Sequence, residues 1–241
     1  MRSMPIAVSI LILSGTATAV IAATTQITDK FSGSSLNSLW TEYWYGGMWV
    51  SPSGGVLKVV GVPSTIGQFA IAIEDYELKT DAVANYSWKA SVAVKQVMSS
   101  ASVDSESTTS TYVGLQYDDI SEEGFLDMNN GYQLYADIDE DGVSVGWVED
   151  QAGEYVDSDG IFVSSSKKLA GNVVATYTGK NDRLVVQVGK FKRTFTGFYA
   201  NNSYATDPKM YIGGYCWGNV SGTILTFDNF SLKGNGVIQA P

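Results

Sequence analysis

The stretch YQLYADIDEDGVSVGWVE, residues 132–149, decides the fold class. Apolar residues alternate with polar or aromatic ones on both sides of the segment DEDG. Such alternation places successive side chains on opposite faces of a β-strand, and a short polar segment containing glycine joins two strands into a hairpin. The stretch therefore predicts an antiparallel β-hairpin with residues 139–142 at its tip.

Strand-like segments of the same kind run along most of the chain. The clearest is YSWKASVAVKQVM, residues 86–98, in which alanine and valine alternate with serine and lysine. A second hairpin is predicted around Gly189 and Lys190, where glycine at the first turn position suits a type II′ turn. Many short strands separated by Gly, Asn, Asp and Ser indicate one all-β sandwich or barrel. Further strands are predicted at residues 55–61, 68–73, 111–117, 173–177, 184–188, 191–195, 210–217 and 223–232.

The first two dozen residues differ from the rest of the chain. Arg2 precedes an apolar run at residues 6–13, and small residues follow it, among them Ala19 and Ala23. This order predicts a secretory signal peptide over residues 1–23, followed by one domain over residues 24–241. An uncleaved anchor is the alternative. We therefore expect the protein to be secreted, either extracellular or at the cell surface, without membrane insertion.

The composition excludes several function classes. The formal net charge is −10 and the sequence pI is about 4.4, which argues against nucleic acid as a partner because phosphate binding needs clustered Lys and Arg. Histidine is absent, so Ser-His-Asp triads and His-ligated zinc sites are excluded. Cys216 is the single cysteine, and we expect it to be buried because Tyr215 and Trp217 flank it.

Segments at both ends of the chain resemble the concanavalin A-like lectin/glucanase superfamily. ITDKFSGSSLNSLWTEY, residues 27–43, is similar to the opening D-x-F-x-G-x-x-L-[DN]-x-x-W of such domains, and LTFDNFSLKG is similar to their final strand. The stretch GYQLYADIDEDGVSVG between them is similar to the central hairpin of laminin-G-type jelly rolls. The resemblance implies a single jelly-roll β-sandwich of two packed antiparallel sheets, secretion, and carbohydrate as the usual ligand. The residues that match the opening motif are Asp29, Phe31, Gly33, Leu36, Asn37 and Trp40.

The acidic triplet of the central hairpin is a candidate for catalysis. Glycoside hydrolase family 16, within this superfamily, has the motif E-x-D-x-E on one strand, and Asp137, Asp139 and Asp141 have the same spacing. Retaining hydrolysis needs two carboxyl groups about 5 Å apart. Aspartate is shorter than glutamate, however, and Gly142 indicates a turn that would break the shared face. We therefore predict no catalytic residues and favour solvated hairpin carboxylates.

Calcium is a candidate structural cofactor at two places. Asp137, Asp139 and Asp141 followed by glycine could form a calcium loop, although an ordinary turn is the default interpretation. The resemblance separately implies a calcium site that uses the Asp of the final strand, here Asp228, with Asp29 as a weaker addition. The alternative for Asp228 is a carboxylate that caps backbone N–H groups.

Aromatic residues are the candidates for ligand binding. The segment WTEYWYGGMWV, residues 40–50, places Tyr43, Tyr45 and Trp49 in what its two glycines indicate is a loop, whereas Trp40 matches a buried position of the family. Aromatic rings stack on the C–H faces of sugars, and Trp and Tyr keep a polar edge. A second set on the central hairpin could line a concave sheet, although about half of it is expected in the core. This second set is Tyr132, Tyr135 and Trp147.

Three functions follow from these observations. The first is a secreted, non-catalytic, lectin-like module that binds a glycan or polysaccharide. The second is a polysaccharide-cleaving hydrolase or lyase of the same fold. The third is a structural cell-surface or matrix protein that self-associates by strand exchange.

Overall fold

A computed structural model describes residues 24–60, 66–80, 85–98, 107–116, 130–151, 154–198, 208–218 and 223–240. The signal peptide predicted for residues 1–23 lies outside these ranges. Within the described ranges, no helix has the length and hydropathy needed to cross a membrane.

The described residues form seventeen β-strands and one short 3₁₀ turn at Gly179–Asn181. The strands alternate buried and exposed side chains, as the sequence pattern requires. The first nine are β1 (Thr25–Asp29), β2 (Thr41–Tyr45), β3 (Trp49–Ser53), β4 (Val56–Val60), β5 (Ile66–Ile73), β6 (Tyr76–Leu78), β7 (Ser87–Val97), β8 (Thr108–Gln116) and β9 (Asn130–Ile138). The others are β10 (Val143–Gln151), β11 (Glu154–Ser164), β12 (Lys168–Thr178), β13 (Arg183–Val188), β14 (Phe191–Thr196), β15 (Lys209–Trp217), β16 (Ile224–Gly234) and β17 (Val237–Gln239).

Two large antiparallel sheets contain most of these strands. The seven-stranded sheet has the order β11-β10-β9-β8-β15-β5-β2. The eight-stranded sheet has the order β14-β13-β12-β7-β16-β4-β3, and β1 pairs with β16 beside this path. Strands β6 and β17 form a small third sheet. Neighbours in sequence often lie in different sheets, which is the connectivity of a jelly-roll sandwich rather than a meander.

The core lies between the two large sheets. Phe69 of β5 meets Phe227 of β16 edge to face, with ring centroids 5.8 Å apart. Trp40 is buried and its ring contacts Phe230, which confirms the core position expected for it. Cys216 is fully buried, as expected, and burial raises the pKa of its thiol to about 12. The thiol is therefore protonated and unreactive at neutral pH.

The predicted fold class is confirmed, and so are both hairpins. Strands β9 and β10 pair along their whole length, from Ile138 opposite Val143 to Asn130 opposite Gln151. Strands β13 and β14 pair across Gly189, whose φ is +56°, while Lys190 is not among the described residues with positive φ. This combination fits the type II′ turn that the sequence predicts.

A buried polar bridge connects the two sheets near one end of the core. Gln96 of β7 is fully buried, and its Nε2 donates to the carbonyl oxygen of Thr109 at 2.6 Å and to Thr109 Oγ1 at 2.7 Å. Thr111 Oγ1 donates to Gln96 Oε1 at 3.1 Å. Because these groups are buried, each depends on the others for a hydrogen-bond partner.

We expect Gln96→Met to lower the free energy of unfolding by about 1–3 kcal/mol. The substitution keeps the side-chain volume but removes the amide that bonds to both threonines, and stranded buried polar groups cost free energy of this order. Gln187→Met is the matched control, since Gln187 is exposed, and it should change stability by less than about 0.5 kcal/mol. Urea denaturation measures both; an equal effect of the two substitutions would contradict a role for the bridge.

Candidate functional site

The outer face of the seven-stranded sheet has a second apolar cluster, separate from the core. Along β15, Met210, Ile212 and Cys216 point into the core, whereas Tyr211 and Tyr215 point outward. The same alternation on β2, β8 and β9 adds further aromatic side chains to this face. We call this set the tyrosine face. It consists of Tyr43, Tyr112, Tyr135, Tyr211 and Tyr215.

Glycines on neighbouring strands allow these rings to lie against the sheet. A Cβ atom added to Gly114 would come within 1.9 Å of Tyr211 Cζ, and one added to Gly213 within 2.0 Å of Tyr112 Cε2. A Cβ atom at Gly146 would come within 2.5 Å of the Tyr135 hydroxyl oxygen. The rings therefore occupy the space that side chains would otherwise fill. The packed glycines and rings fix the shape of the face before any ligand arrives.

Strand register places polar groups in a row at one end of this face. Tyr215 of β15 pairs with Ser110 of β8, Ser110 pairs with Asp137 of β9, and Asp137 pairs with Ser144 of β10. Trp217 stacks on Tyr215, with ring centroids 6.4 Å apart and the ring planes 30° apart. About half of the Trp217 side chain, 47 %, is exposed. We call Ser110, Asp137, Tyr215 and Trp217 the Asp137 corner.

The carboxyl group of Asp137 is unusual in this corner because it is both buried and ionisable. Its Oδ1 has almost no contact with solvent and accepts no hydrogen bond from the described residues, although the residue as a whole is partly exposed. Burial raises the pKa of Asp137 to about 6, the hydrogen bond from Ser110 opposes that rise, and the nearby Asp139 adds to it. Burial likewise raises the pKa of Tyr215, with smaller contributions from Cys216 and Asp137. At neutral pH the corner therefore contains a negative charge that has the Ser110 hydrogen bond but no cationic partner among the described residues.

The segment at residues 40–50 does not form the loop that the sequence predicts. Tyr43 lies on β2 in the seven-stranded sheet, where its hydroxyl donates to Glu74 Oε1. Trp49 lies on β3 in the eight-stranded sheet and is 47 % exposed. Gly46 and Gly47, with φ of +68° and +80°, make the turn between the sheets, so Tyr43 and Trp49 belong to different sheets. The side chain of Tyr45 lies outside the described part of the structure.

The three aromatic residues proposed on the central hairpin are divided between the two faces. Tyr135 belongs to the tyrosine face. Trp147 is only 2 % exposed and lies in the core, and Tyr132 packs on it with ring centroids 6.4 Å apart. The expectation that Tyr132 and Trp147 line a concave binding sheet needs correction, because they share the inward side of their strands with Leu134 and Val145.

The aspartates proposed as calcium ligands have other partners. Asp29 Oδ1 accepts from the backbone N–H of Phe31 at 2.7 Å, and its Oδ2 accepts from Trp40 Nε1 at 2.9 Å. Asp228 accepts from the backbone N–H of Asn229 at 2.6 Å and from Asn229 Nδ2 at 2.8 Å. Asn229 adopts φ of +51° at the bulge of β16, so Asp228 has the capping role that was its alternative interpretation.

The acidic hairpin tip is a hydrogen-bonded turn. Asp139 Oδ1 accepts from the backbone N–H groups of Asp141 at 2.9 Å and Gly142 at 3.1 Å, while Asp141 is exposed. Asp137 lies on β9, two residues before Asp139, and its side chain is on the outer face of the seven-stranded sheet. Within the described ranges, no group of three acidic or cysteine side chains is placed to hold a metal ion. Neither the hairpin set Asp137, Asp139 and Asp141 nor the separate pair Asp228 and Asp29 forms such a group within these ranges, and calcium as a structural cofactor stays a prediction of the sequence.

The sequence pattern alone does not single out Tyr215, Trp217 or Ser110. The sequence nevertheless contains a local signal for Tyr215 and Trp217. A buried Cys216 on a strand requires both of its neighbours to point outward, which places Tyr215 and Trp217 on the same face. Their meeting with Asp137 depends on the order of strands in the sheet, and that order cannot be read from local pattern.

We expect Asp139→Ala to destabilise the protein by about 1 kcal/mol, because the backbone N–H groups of the turn lose their acceptor. Asp139→Asn keeps an oxygen at that position and should cost less. The loss should be equal in EDTA and in millimolar calcium. Thermal melting under both conditions measures it, and a loss seen only with calcium would show that Asp139 acts as a metal ligand.

Asp137→Asn should stabilise the protein at pH 7.5 and have little effect near pH 4. An acid whose folded pKa is raised binds more protons when folded than when unfolded, so stability falls as pH rises from about 4 to about 6. A rise of about two pKa units corresponds to roughly 3 kcal/mol. Chemical denaturation across this pH range measures the difference. A destabilised variant at pH 7.5 would contradict the uncompensated charge.

No protein-family model matches the sequence, and no curated protein matches it. Among solved structures, the Emp47p carbohydrate recognition domain superposes with a TM-score of 0.55 at 14 % identity, covering 86 % of this chain and 93 % of that one.

Two plant lectins are also similar in structure. The winged bean acidic lectin, solved with methyl-alpha-D-galactose, gives a TM-score of 0.57 at 11 % identity and covers 90 % of this chain and 100 % of its own. Peanut lectin, solved with a 9mer peptide, gives 0.56 at 12 % identity and covers 91 % and 100 %. Identities this low establish shared architecture and not a shared ligand. The chain therefore has the concanavalin A-like jelly-roll fold of these lectins, as its terminal segments predicted.

Proposed function

We propose that this chain is a secreted, non-catalytic glycan-binding module whose ligand occupies the Asp137 corner of the tyrosine face. The single observation that supports it best is the half-exposed Trp217 ring stacked on Tyr215 beside the polar groups of Ser110 and Asp137. A sugar offers C–H groups to an aromatic ring on one face and hydroxyl groups to polar side chains at its edge. The corner has an aromatic ring and polar side chains on neighbouring strands of the same sheet face.

The rigidity of the face supports the same proposal. Tyr112 and Tyr211 are buried and lie against Gly213 and Gly114, with their rings 5.8 Å apart in an edge-to-face contact. Gln68 lies on β5, which is separated from the strand of Tyr112 by β15. Its Nε2 donates to the Tyr112 hydroxyl at 3.1 Å and fixes the position of that ring. Side chains that are already fixed lose little entropy when a ligand binds. Such a floor suits a weak, polar ligand like a sugar.

Fold similarity adds to the proposal without deciding it. Structures with the same architecture include a carbohydrate recognition domain and a lectin complexed with methyl-alpha-D-galactose. One fold supports many functions, so these neighbours raise the expectation of a glycan ligand and do not locate it. The location comes from the side chains of this chain.

The non-catalytic part of the proposal is supported by how the carboxylates are used. A retaining glycosidase needs two carboxyl groups about 5 Å apart that both face the sugar. Asp137 faces the corner, whereas Asp139 is held by the backbone of the hairpin turn. Export is supported only by the order of charged, apolar and small residues over residues 1–23.

We expect Trp217→Ala to weaken glycan binding about tenfold or more, because loss of a central aromatic contact typically costs more than 1 kcal/mol. Trp49→Ala is the matched control. Trp49 has the same exposure of 47 % but lies in the eight-stranded sheet, and its loss should change affinity less than twofold. A glycan array identifies the best ligand, and titration calorimetry compares the three proteins. Failure of the native protein to bind any glycan, or equal losses in both variants, would contradict the proposal.

A further inference from the structure

We infer that Asp137 is the ligand-selecting residue of the corner: its carboxylate accepts hydrogen bonds from the hydroxyl groups of an uncharged sugar, excludes sulfated or carboxylated sugars, and loses this role on protonation. The inference rests on the proposed function and adds the ligand class and its pH dependence.

The geometry leaves Asp137 with unused capacity as an acceptor. An ionised carboxylate offers about four lone-pair sites, and Ser110 supplies a hydrogen bond to the group. No described residue donates to Oδ1, which is unusual for a buried polar atom. The two flanking positions in the row, Ser110 and Ser144, have short, uncharged side chains.

A ligand would approach Asp137 from the side on which the residue is exposed. Oδ1 itself is covered, but the residue is partly exposed. A sugar stacked on Trp217 lies on this same face of the sheet, from which a hydroxyl group can donate to the carboxylate.

The free-energy cost that follows from burying this charge agrees with a role in ligand binding. A buried, unpaired carboxylate opposes folding at neutral pH, and an asparagine or serine would remove that cost. Uncompensated charges of this kind are characteristic of sites that act on a ligand rather than of the supporting core. Asp29, Asp139 and Asp228, by contrast, all have hydrogen-bond donors that stabilise them.

The surroundings of Asp137 explain the choice of an uncharged sugar. Along the chain the neighbouring titratable groups are Tyr135 on β9 and Asp139 just after β9, and Asp139 adds negative potential. Strands β8 and β10 contribute the neutral Ser110 and Ser144, and β15 contributes Tyr215. Among the described residues of these four strands, Lys209 is the one cation, and it lies at the other end of β15. An anionic sugar would therefore meet like charge without a compensating cation.

The pH dependence follows with a definite sign. With a pKa of about 6, Asp137 is mostly ionised at pH 7.5 and mostly protonated at pH 5. If only the carboxylate form accepts the ligand, affinity should fall about tenfold between these pH values. By linkage, a bound ligand should lower the pKa of Asp137.

The experiment uses the full chain and a glycan array that pairs each neutral terminal sugar with its sulfated and carboxylated counterparts. Binding of the strongest neutral hit is then measured at pH 7.5, 6 and 5 for the native protein, Asp137→Asn and Asp139→Asn. We expect Asp137→Asn to bind at least tenfold more weakly at pH 7.5, to show a flat pH profile, and to discriminate less against anionic sugars. Asp139→Asn, outside the corner, should still lose affinity as the pH falls, with the midpoint shifted slightly to lower pH because a negative charge near Asp137 is removed.

A second measurement separates binding from folding. The carboxyl carbon resonance of Asp137 is titrated by NMR with and without the same neutral sugar, and thermal melting confirms that Asp137→Asn is folded. A bound sugar that leaves the Asp137 pKa unchanged would overturn the inference. So would native affinity and native pH profile in Asp137→Asn, although the proposed glycan-binding function would then stand. Absence of any glycan bound by the native protein would instead overturn the proposed function and the inference with it.

Discussion

The packing of the seven-stranded sheet against the eight-stranded sheet is the constraint on which the rest of the structure depends. Contacts such as Phe69 with Phe227 require one set of alternate residues on each strand to point inward. Because the period of a strand is two, this requirement fixes the opposite set on the outside. The tyrosine face is thus a consequence of core packing, and a register shift of one residue would exchange it with the core.

The candidate binding groups on the outer face are side chains that do not pack in the core between the sheets. Tyrosine rings take the space above Gly114, Gly146 and Gly213 and make a stiff aromatic floor, while Asp137 adds charge at one end. The floor is stabilising, since its rings are largely buried, and the charge is destabilising. This separation of stable support from a costly functional group is common in binding sites, where the support holds the costly group in position.

Four aspartates in this chain illustrate why a residue type does not determine a role. Asp29 orients the Trp40 indole, Asp139 closes the hairpin turn, and Asp228 caps a bulge. Each of these three accepts hydrogen bonds from N–H groups close by. Asp137 differs because its neighbours on the adjacent strands are serines. Desolvation is the largest cause of its raised pKa. The spacing D-x-D-x-D therefore conceals one turn residue, one exposed residue and one candidate ligand-binding residue.

The sequence by itself determined the fold class, both hairpins, the buried positions of Trp40 and Cys216, and the turn at residues 139–142, because strand alternation and turn chemistry are local. It also identified Tyr43, Tyr135 and Asp137 as candidates for a site. Only the tertiary structure decided that Trp49 lies in the other sheet, that Trp147 lies in the core, and that Tyr215 and Trp217 share a sheet face with Asp137, one strand away from it. These facts depend on which strands pair and which sheet each strand joins. Pairing between β8, β9 and β15 joins segments far apart in sequence, and its free energy comes from packing that no local pattern encodes.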